Sequence, residues 1–366
     1  MENKICVYTV CMNEAQFVDR WVDSMSEADR IVALVHDCKD NTAEKLLTRG
    51  VDVRYTHYGE WRFDVGKNDS MHVAMELAPE CNILCFTSLD EVWDPGWAQV
   101  LKDNWKEDTN ICLYKFVQSH KEDGSEDLVT GFNWIHSNDP AWHWKYPIDE
   151  RICRDDNNFN YIYLFDKLKL NHWPDTSRPR HYVDMRKAMW EEYKDANSLL
   201  SFVRDYHGIG KKEELLSSLK DQDLDNLNLD PESKSFILAC VADSYWDAKK
   251  DIISAKKYFD KAIKADPEAR YAYLWFGRIL CDLQLFREAE YYLKEGLCKS
   301  KRRFSWLESS DDFKGNLFIW LTVATYYQEK YLEALSYAQH AFDLNPKNNL
   351  AKNNLDLCKK KIEGLV

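Results

Sequence analysis

Residues 4–86 alternate short apolar runs with amphipathic segments, and this alternation restricts the possible folds more than any other feature of the sequence. The apolar runs predict four strands, at 4–10, 30–36, 51–57 and 82–86. The segments between them predict helices at 15–25, 41–50 and 65–78. Strands that alternate with helices form a parallel sheet that is covered on both faces. We therefore predict an α/β domain with a mostly parallel, Rossmann-like sheet.

A polar segment follows each of the four predicted strands. These segments are "TVCMNEA" (9–15), "HDCKDNT" (36–42), "YGEWRFDVGKN" (58–68) and "TSLDEVW" (87–93). Ligands of parallel sheets bind beyond the carboxyl ends of the strands. Because parallel strands end at the same edge of a sheet, we expect the four segments to converge there on one binding site.

The C-terminal part of the chain has a helical pattern that repeats. Segments 254–267 and 333–346 share an alanine, a second alanine seven residues later, and a proline twelve residues after the first alanine. Ala289 lies 34 residues after Ala255, which is the period of tetratricopeptide repeats. Ala334 follows Ala289 by 45 residues, so we expect an insertion in segment 299–313. The pattern resembles tetratricopeptide repeats, and an irregular helical bundle is the alternative.

The two patterns divide the chain into three parts. We predict an α/β domain at 1–184, connecting helices and a linker at 185–232, and an all-α, repeat-like domain at 233–366. The formal net charge of −13 argues against non-specific binding to nucleic acid or to an anionic membrane. No apolar run is long enough to span a membrane. The 11 cysteines are scattered singly, which favours free thiols in a reducing cytoplasm over a zinc site or disulfides.

The four polar segments together resemble conserved stretches of family 2 glycosyltransferases, whose GT-A domain binds a nucleotide sugar. "MNEAQFVDRWVDS" is similar to the family's K-N-E opening, and "HDCKDNTAEKL" to its D-x-S-x-D-x-T turn. "WRFDVGKND" is similar to its D-F-x-x-x-R-N stretch, and "TSLDEVW" stands where the family has L-D-x-D-E. The likeness is greatest to members that carry C-terminal tetratricopeptide repeats, and "YPIDERI" and "LNHWPDTSRPRHY" extend it more weakly over 140–182.

This resemblance implies that the protein binds a nucleotide sugar, with a UDP-sugar as the first expectation. The residues at the matching positions are Thr9, Asn13, Glu14, His36, Asp37, Lys67, Asn68, Ser88 and Leu89. His36 and Asp37 take the place of an aspartate that reads the base in the family, which leaves the nucleotide open. Lys67 replaces the family's arginine and supplies a point charge rather than a bidentate fork. A lysine on the helix surface is the alternative interpretation of Lys67.

The resemblance also implies a divalent metal, Mn²⁺ or Mg²⁺, which would neutralise the diphosphate leaving group. Asp90 stands at the second acidic position of the family's metal motif, and Ser88 replaces the first acid. A hydroxyl is a poorer ligand than a carboxylate, so we expect His172, which resembles a late histidine of the family, to assist Asp90. The alternatives are a solvated turn for Asp90 and a packed histidine for His172.

Glu150 and Asp149 are the predicted general bases. A sugar transfer with inversion needs a group that removes the proton from the attacking acceptor. Glu150 matches the family's acidic position, and Asp149 stands where a histidine is common. An ion pair with Arg151 or Arg154 is the alternative for both carboxylates.

The predicted function is therefore metal-assisted transfer of a sugar from a nucleotide diphosphate sugar to an acceptor, with inversion. The acceptor is expected to be a polypeptide or a glycan, and the helical domain to bind it or to form a homodimer. The first alternative is a weakly active or inactive GT-A scaffold whose repeats bind a protein partner. The second is a transferase that acts on modified nucleic acid bases, which the negative charge disfavours.

Overall fold

A computed structural model describes residues 2–175, 177, 182–226, 228–299 and 312–364, with the backbone alone for 312–314. The chain divides into two units, Met1–Met185 and Arg186–Val366. The insertion expected in segment 299–313 falls mostly on residues 300–311, which lie outside the described residues. Within the described part of the chain, no helix is both long enough and apolar enough to cross a membrane.

The described residues of the first unit form eleven strands and four helices that lie wholly within it. Its strands are β1 (Ile5–Cys11), β2 (Arg30–His36), β3 (Asp52–Thr56), β4 (Ile83–Phe86), β5 (Glu91–Trp93), β6 (Ile111–Val117), β7 (Val129–Ser137), β8 (Trp142–Lys145), β9 (Arg151–Arg154), β10 (Tyr161–Tyr163) and β11 (Lys169–His172). Its helices are α1 (Val18–Met25), α2 (Thr42–Thr48), α3 (Phe63–Leu77) and α4 (Trp97–Asn104). The four predicted strands are all present, each within one residue of its expected bounds.

The main sheet is mixed. In one half all neighbouring strands are parallel, and the other half contains both parallel and antiparallel pairs. Its strand order is β3-β2-β1-β4-β7-β6-β11-β5, and β10 pairs with β6. The first four strands pair in parallel, as predicted from the strand–helix alternation. Strand β7 then runs antiparallel to both β4 and β6, and β11 runs parallel to β6 and antiparallel to β5. Strands β8 and β9 form a separate hairpin.

The main sheet must curl, because the chain between β4 and β5 is short. Only residues 87–90 connect these strands, although β7, β6 and β11 lie between them in the sheet. At about 4.8 Å per strand, a flat sheet would separate β4 from β5 by about 19 Å. The stretch from Phe86 to Glu91 spans at most about 17 Å when fully extended. The curl therefore brings the end of β11 back towards the end of β4.

Apolar side chains fill both faces of the parallel half. Ile5 and Val7 of β1 belong to one core cluster, together with Trp21 of α1. The alternate residues Cys6 and Tyr8 belong to a second cluster, which also includes residues of α3. Successive side chains of a strand point to opposite faces, so these two clusters lie on opposite sides of the sheet. This burial explains why β1 reads as a continuous apolar run.

The second unit is helical. Helix α5 (Val183–Tyr193) begins just before the division between the units. The helices that follow are α6 (Ala196–Gly208), α7 (Lys212–Ser218), α8 (Pro231–Lys249), α9 (Ile252–Ala265), α10 (Arg270–Asp282), α11 (Phe286–Cys298), α12 (Asp312–Tyr326), α13 (Tyr331–Leu344) and α14 (Asn349–Glu363). The segment 185–232, expected as connecting helices, holds α5 to α7, and α7 packs on α8.

Consecutive helices of the second unit pack in pairs, α8 with α9, α10 with α11 and α12 with α13. The alanines that define the sequence repeat are buried, and they are Ala255, Ala262, Ala289, Ala334 and Ala341. Gly277 of α10 allows a close approach, because a Cβ at this position would lie 2.5 Å from Cγ of Leu293 on α11. The small residues of the repeat therefore lie where helices meet, as the sequence pattern predicts.

Candidate active site

The loops that follow β1 and β2 are joined by hydrogen bonds from side chains to the main chain. The side-chain oxygen of Asn13 accepts hydrogen bonds from the backbone N–H groups of Lys39 and Asp40, at 2.6 and 3.3 Å. The N–H of Glu14 donates to the hydroxyl of Thr42 at 2.8 Å. Asn13 has a φ of 55°, a left-handed conformation that asparagine tolerates better than most residues. These contacts position two of the predicted nucleotide-binding segments side by side.

Aromatic rings surround His36 at the carboxyl end of β2. The ring of His36 stacks on Trp61, with centroids 5.2 Å apart and planes 13° from parallel. Gly66 of α3 leaves room for this tryptophan, because a Cβ at this position would lie 2.7 Å from the Trp61 ring. The carboxylate of Asp37 lies 2.6 Å from Nδ1 of His57, closer than the 3.6 Å that separates it from Nδ1 of His36. Because His36 is only 6% exposed, its ring is chiefly a packing surface here.

Asp90 and His172, the two predicted metal ligands, are in contact although 82 residues separate them. Oδ2 of Asp90 lies 3.2 Å from Nε2 of His172, and the Asp90 carbonyl accepts a hydrogen bond from Trp173 N–H at 2.8 Å. Pairing of β11 with β5 places His172 opposite Glu91. The other ring nitrogen of His172 lies 3.1 Å from the carbonyl oxygen of Gln118. Burial is the largest single effect and disfavours the charged imidazole. The hydrogen bond to Asp90, the charges of Asp90 and Glu91 and the Gln118 carbonyl together outweigh burial and raise the pKa of His172.

Glu91 is buried beside this pair. Its side chain accepts a hydrogen bond from the Ser88 N–H at 2.8 Å, and the residue is 3% exposed. Burial, together with the negative charge of Asp90, raises the pKa of Glu91 to about 7. His172 and Lys67 oppose this shift through their positive charges. Glu91 therefore couples the Asp90–His172 pair electrostatically to Lys67.

Lys67 is buried, so its interpretation as a lysine on the helix surface is wrong. Its ammonium lies 3.4 Å from Oε2 of Glu150, and the residue is 4% exposed. Three aromatic rings surround the ammonium, with centroids at 3.8 Å for Trp134, 4.3 Å for Phe86 and 4.5 Å for Trp144. Burial lowers the pKa of Lys67 and raises that of Glu150, and the attraction between the two charges opposes both shifts.

The remaining predicted site residues serve different purposes in the fold. Asn68 makes two hydrogen bonds of 2.8 Å with the backbone of Trp144 and so joins α3 to β8. Asp149 has a φ of 53°, and this left-handed turn immediately precedes Glu150. Thr9 and Leu89 are 0% exposed, main chain included, so the structure does not present either residue to a ligand.

Two side chains at this site, Asp90 and His172, are suitable ligands for a divalent metal. No group of three or more His, Cys, Asp or Glu side chains suited to a metal occurs within the described ranges. The contact of Nδ1 with the Gln118 carbonyl fixes the ring and leaves Nε2 as the ligand atom, an arrangement typical of metal-binding histidines. The donor set therefore fits a metal that takes its remaining ligands from a bound diphosphate and water.

The aromatic residues around the site were not predicted from the sequence. Trp61, Trp134 and Trp144 each lie within a polar or alternating stretch, and nothing local to these stretches distinguishes a ring beside a lysine from a core ring. Glu91 was not predicted as a site residue, although it is the more deeply buried of the two carboxylates. Its position five residues after the last residue of the apolar strand β4 was the available signal.

Comparisons with known proteins provide no family for this chain. No protein-family model matches the sequence, and no curated protein matches it. Solved structures similar to part of the chain include the Arabidopsis OM64 TPR domain, with 18% identity over 36% of this chain and 98% of that one, at a TM-score of 0.30. Yeast Tom70 shares 16% identity over 51% of this chain and 37% of its own, at a TM-score of 0.39.

A thermophilic TPR protein of Thermus thermophilus is similar to a comparable part of the chain. It shares 16% identity over 48% of this chain and 88% of its own, at a TM-score of 0.35. These TM-scores are too low to support a conclusion about this chain. The assignment of paired helices to the second unit accordingly depends on the helix contacts and buried alanines described above.

Proposed function

We propose that the first unit binds a nucleotide diphosphate sugar at the carboxyl edge of its parallel strands and transfers the sugar to an acceptor. The observation that carries this proposal is the contact of Asp90 with His172, next to Glu91 and the Lys67–Glu150 pair. Segments that are far apart in the sequence bring these charged side chains together here, and the stability of the sheet does not require such a group. Perturbed pKa values and buried charges of this kind are concentrated at functional sites.

In this proposal Asp90 and His172 hold a divalent cation. When bound, the cation neutralises the negative charge that develops on the diphosphate leaving group. His172 must lose the proton it shares with Asp90 before its Nε2 can bind a metal, because a metal ligand must be deprotonated. The loops that contain Asn13 and Asp37 are the proposed contacts of the nucleotide, and Trp61 offers an aromatic surface beside them.

Glu150 is the proposed general base, and its environment suits that role. Burial raises the pKa of its carboxyl group, and a raised pKa makes a carboxylate a stronger base. Lys67 holds the carboxylate in place at 3.4 Å and preserves part of its charged form. Glu150→Gln should therefore lower turnover by about 10²–10⁴-fold with little effect on donor binding. If Asp149→Asn is the inactive variant and Glu150→Gln is active, Asp149 is the base instead.

Calorimetric titration of the full chain with UDP and with GDP, each with and without Mn²⁺, tests the donor site directly. We expect heat with at least one nucleotide and tighter binding with the metal. Asp90→Asn should abolish the effect of the metal, and Ser88→Asp should strengthen it by restoring a carboxylate at the position of the hydroxyl. The absence of heat with any nucleotide would end the transferase proposal, and unchanged metal affinity in Ser88→Asp would place the metal elsewhere.

Binding of a polypeptide by the second unit is the other candidate function, and the paired helices with buried small residues favour it. Stacked helix pairs form extended surfaces that recognise peptides and partner helices. A fragment that ends at Met185 separates the two functions, since this is where the units divide. Hydrolysis of the nucleotide sugar without transfer to the acceptor would assign acceptor recognition to the helices. Full transfer by the fragment would contradict that assignment.

A further inference from the structure

Two cysteines meet where the loops after β1 and β2 come together. Cys11 is the last residue of β1 and is 3% exposed, whereas Cys38 lies half-buried in the loop after β2. The sulfur of Cys38 lies 4.0 Å from the Cys11 carbonyl oxygen and accepts a hydrogen bond from the backbone N–H of Asn13 at 3.2 Å. Both thiols are free. The loops are already joined around them through Asn13 and Thr42.

The two thiols differ in their readiness to ionise. A hydrogen bond from the Cys11 thiol, with help from the Asn13 N–H and Thr42, lowers the pKa of Cys38 to about 6 against the opposing effects of burial and Asp40. The same hydrogen bond, together with burial and the charge of Glu14, raises the pKa of Cys11. Cys38 is therefore the more readily ionised of the two thiols, and Cys11 is the more firmly protonated.

We propose that Cys38 is a thiol–disulfide exchange site for low-molecular-weight disulfides, with Cys11 as the resolving thiol. The Cys38 thiolate attacks one sulfur of the small disulfide, forms a mixed disulfide, and releases the other half as a thiolate. Cys11 then gives up its proton to solvent and attacks the Cys38 sulfur. The internal Cys11–Cys38 disulfide forms, and the second half leaves as a thiolate that takes up a proton. Two protein thiols are oxidised and one small disulfide is reduced to two thiols.

The first step of this exchange also prepares the second. While Cys38 is a thiolate, it holds the proton of Cys11 in a hydrogen bond and so keeps Cys11 unreactive. Conversion of Cys38 to a mixed disulfide removes that negative charge and frees the Cys11 thiol to ionise. The internal disulfide would link the end of β1 covalently to the loop after β2, whichever ligand this edge of the sheet binds. This inference does not depend on sugar transfer.

The other cysteines provide internal controls. Cys153 is half-buried and Cys298 is exposed, so both are accessible to a thiol reagent in solution. Cys6, Cys85 and Cys112 are buried, and burial raises the pKa of each thiol. A reagent that simply follows exposure would therefore modify Cys298 first, whereas exchange controlled by ionisation begins at Cys38.

The experiment treats the reduced full chain with oxidised glutathione at pH 7 and maps its peptides by mass spectrometry. We expect a Cys11–Cys38 cross-link in the wild-type protein, a stable glutathione adduct on Cys38 in Cys11→Ser, and no adduct on Cys11 in Cys38→Ser. In the wild type, the rate of iodoacetamide labelling at Cys38 should rise less than about twofold between pH 7 and 8.5. An ordinary thiol rises more than about tenfold over this range.

Adducts confined to Cys153 and Cys298 would overturn the proposal, as would a wild-type adduct on Cys38 that Cys11 does not displace. A tenfold rise in Cys38 labelling between pH 7 and 8.5 would contradict the thiolate. The Cys11–Cys38 cross-link and the labelling series are both measured on the wild-type chain, so they test the exchange and the ionisation of Cys38 even if Cys11→Ser fails to fold.

Discussion

Replacing Lys67 by methionine removes the positive charge from the Lys67–Glu150 ion pair while keeping a flexible side chain of similar length. Methionine packs well against aromatic rings, so Phe86, Trp134 and Trp144 keep a neighbour. The carboxylate of Glu150, in contrast, loses its partner at 3.4 Å. The substitution therefore isolates the electrostatic part of this contact from its packing.

The expected loss of stability follows from the burial of both side chains. Lys67 is 4% exposed, and the side chain of Glu150 is 10% exposed. Removing one member of a buried ion pair costs about 3–5 kcal/mol, because the other charge remains without compensation. The contact is longer than a typical charge-assisted hydrogen bond. We therefore expect a cost of about 3 kcal/mol for Lys67→Met at pH 7.

Urea unfolding of the full chain, followed by tryptophan fluorescence, measures this cost, since two tryptophans lie against the lysine. Glu150→Gln and the double variant complete a mutant cycle. The double variant should be more stable than Lys67→Met alone, because it contains no uncompensated charge. We expect a coupling free energy of about 1–3 kcal/mol between the two positions.

The dependence on pH provides a further check. Burial raises the pKa of Glu150 in the folded protein, so its ionised form is penalised on folding, and Lys67 offsets part of that penalty. Below the unfolded pKa of about 4.3, the carboxyl is neutral in both states and the penalty disappears. The cost of Lys67→Met should therefore shrink between pH 7 and pH 4. A coupling free energy near zero, or a cost that does not change with pH, would refute this account of the pair.

Three further tests address other parts of the structure. The stabilisation of the protein by Glu91→Gln should be larger at pH 8 than at pH 5 by up to about 3 kcal/mol, because a carboxyl with a pKa raised to about 7 is penalised on folding only when it is ionised. A difference between the urea midpoints of the variant and the wild type that is the same at both pH values would contradict this. Gly277→Ala should cost about 1–3 kcal/mol through the clash with Leu293, whereas Gly315→Ala, with open space around its Cβ among the described residues, should stabilise its helix by about 0.5–1 kcal/mol. A calorimetric melting temperature that is higher for Gly277→Ala than for Gly315→Ala would contradict the helix contact. Asp243→Asn should cost about 3 kcal/mol at pH 7, since His207, Lys212 and Arg278 all contact this buried carboxylate. The pKa of Asp243 is lowered in the folded protein, so the difference in free energy of unfolding between variant and wild type, measured in urea, should become smaller below about pH 4 and stay constant above it.

The parallel half of the sheet was predictable because its strands are buried on both faces and are locally apolar. β2 has the predicted bounds, and β1 is displaced by one residue. β7 was not predicted, because seven of its nine residues are only partly buried and show no alternation. Its place between β4 and β6 depends on pairings with distant segments. A local pattern contains no information about such pairings.

The side-chain partners in the candidate site show the same limit. The segments that contain Asn13, Asp37 and Asp90 were predicted to converge because each follows a strand, and the parallel sheet brings their loops to one edge. The burial of Lys67 was not predictable from its helix, since residues 86, 134 and 144 supply the rings around it. The contact of Asp90 with His172 was expected from the resemblance alone. In the structure this contact follows from the pairing of β11 with β5, which places His172 opposite the neighbour of Asp90.

That curl bears on why two acids stand shortly after an apolar strand. The chain leaves β4 and must reach β5 within four residues, so Asp90 and Glu91 lie where β5, at one edge of the curled sheet, comes back towards β4. Burial removes hydration from Glu91, and the charge of Asp90 repels its carboxylate; these two effects, in that order, raise the pKa of Glu91. A bound cation would relieve both effects. Apolar residues at this point would cost less free energy on folding, and this cost is the reason to look for a ligand at these acids, as we propose above.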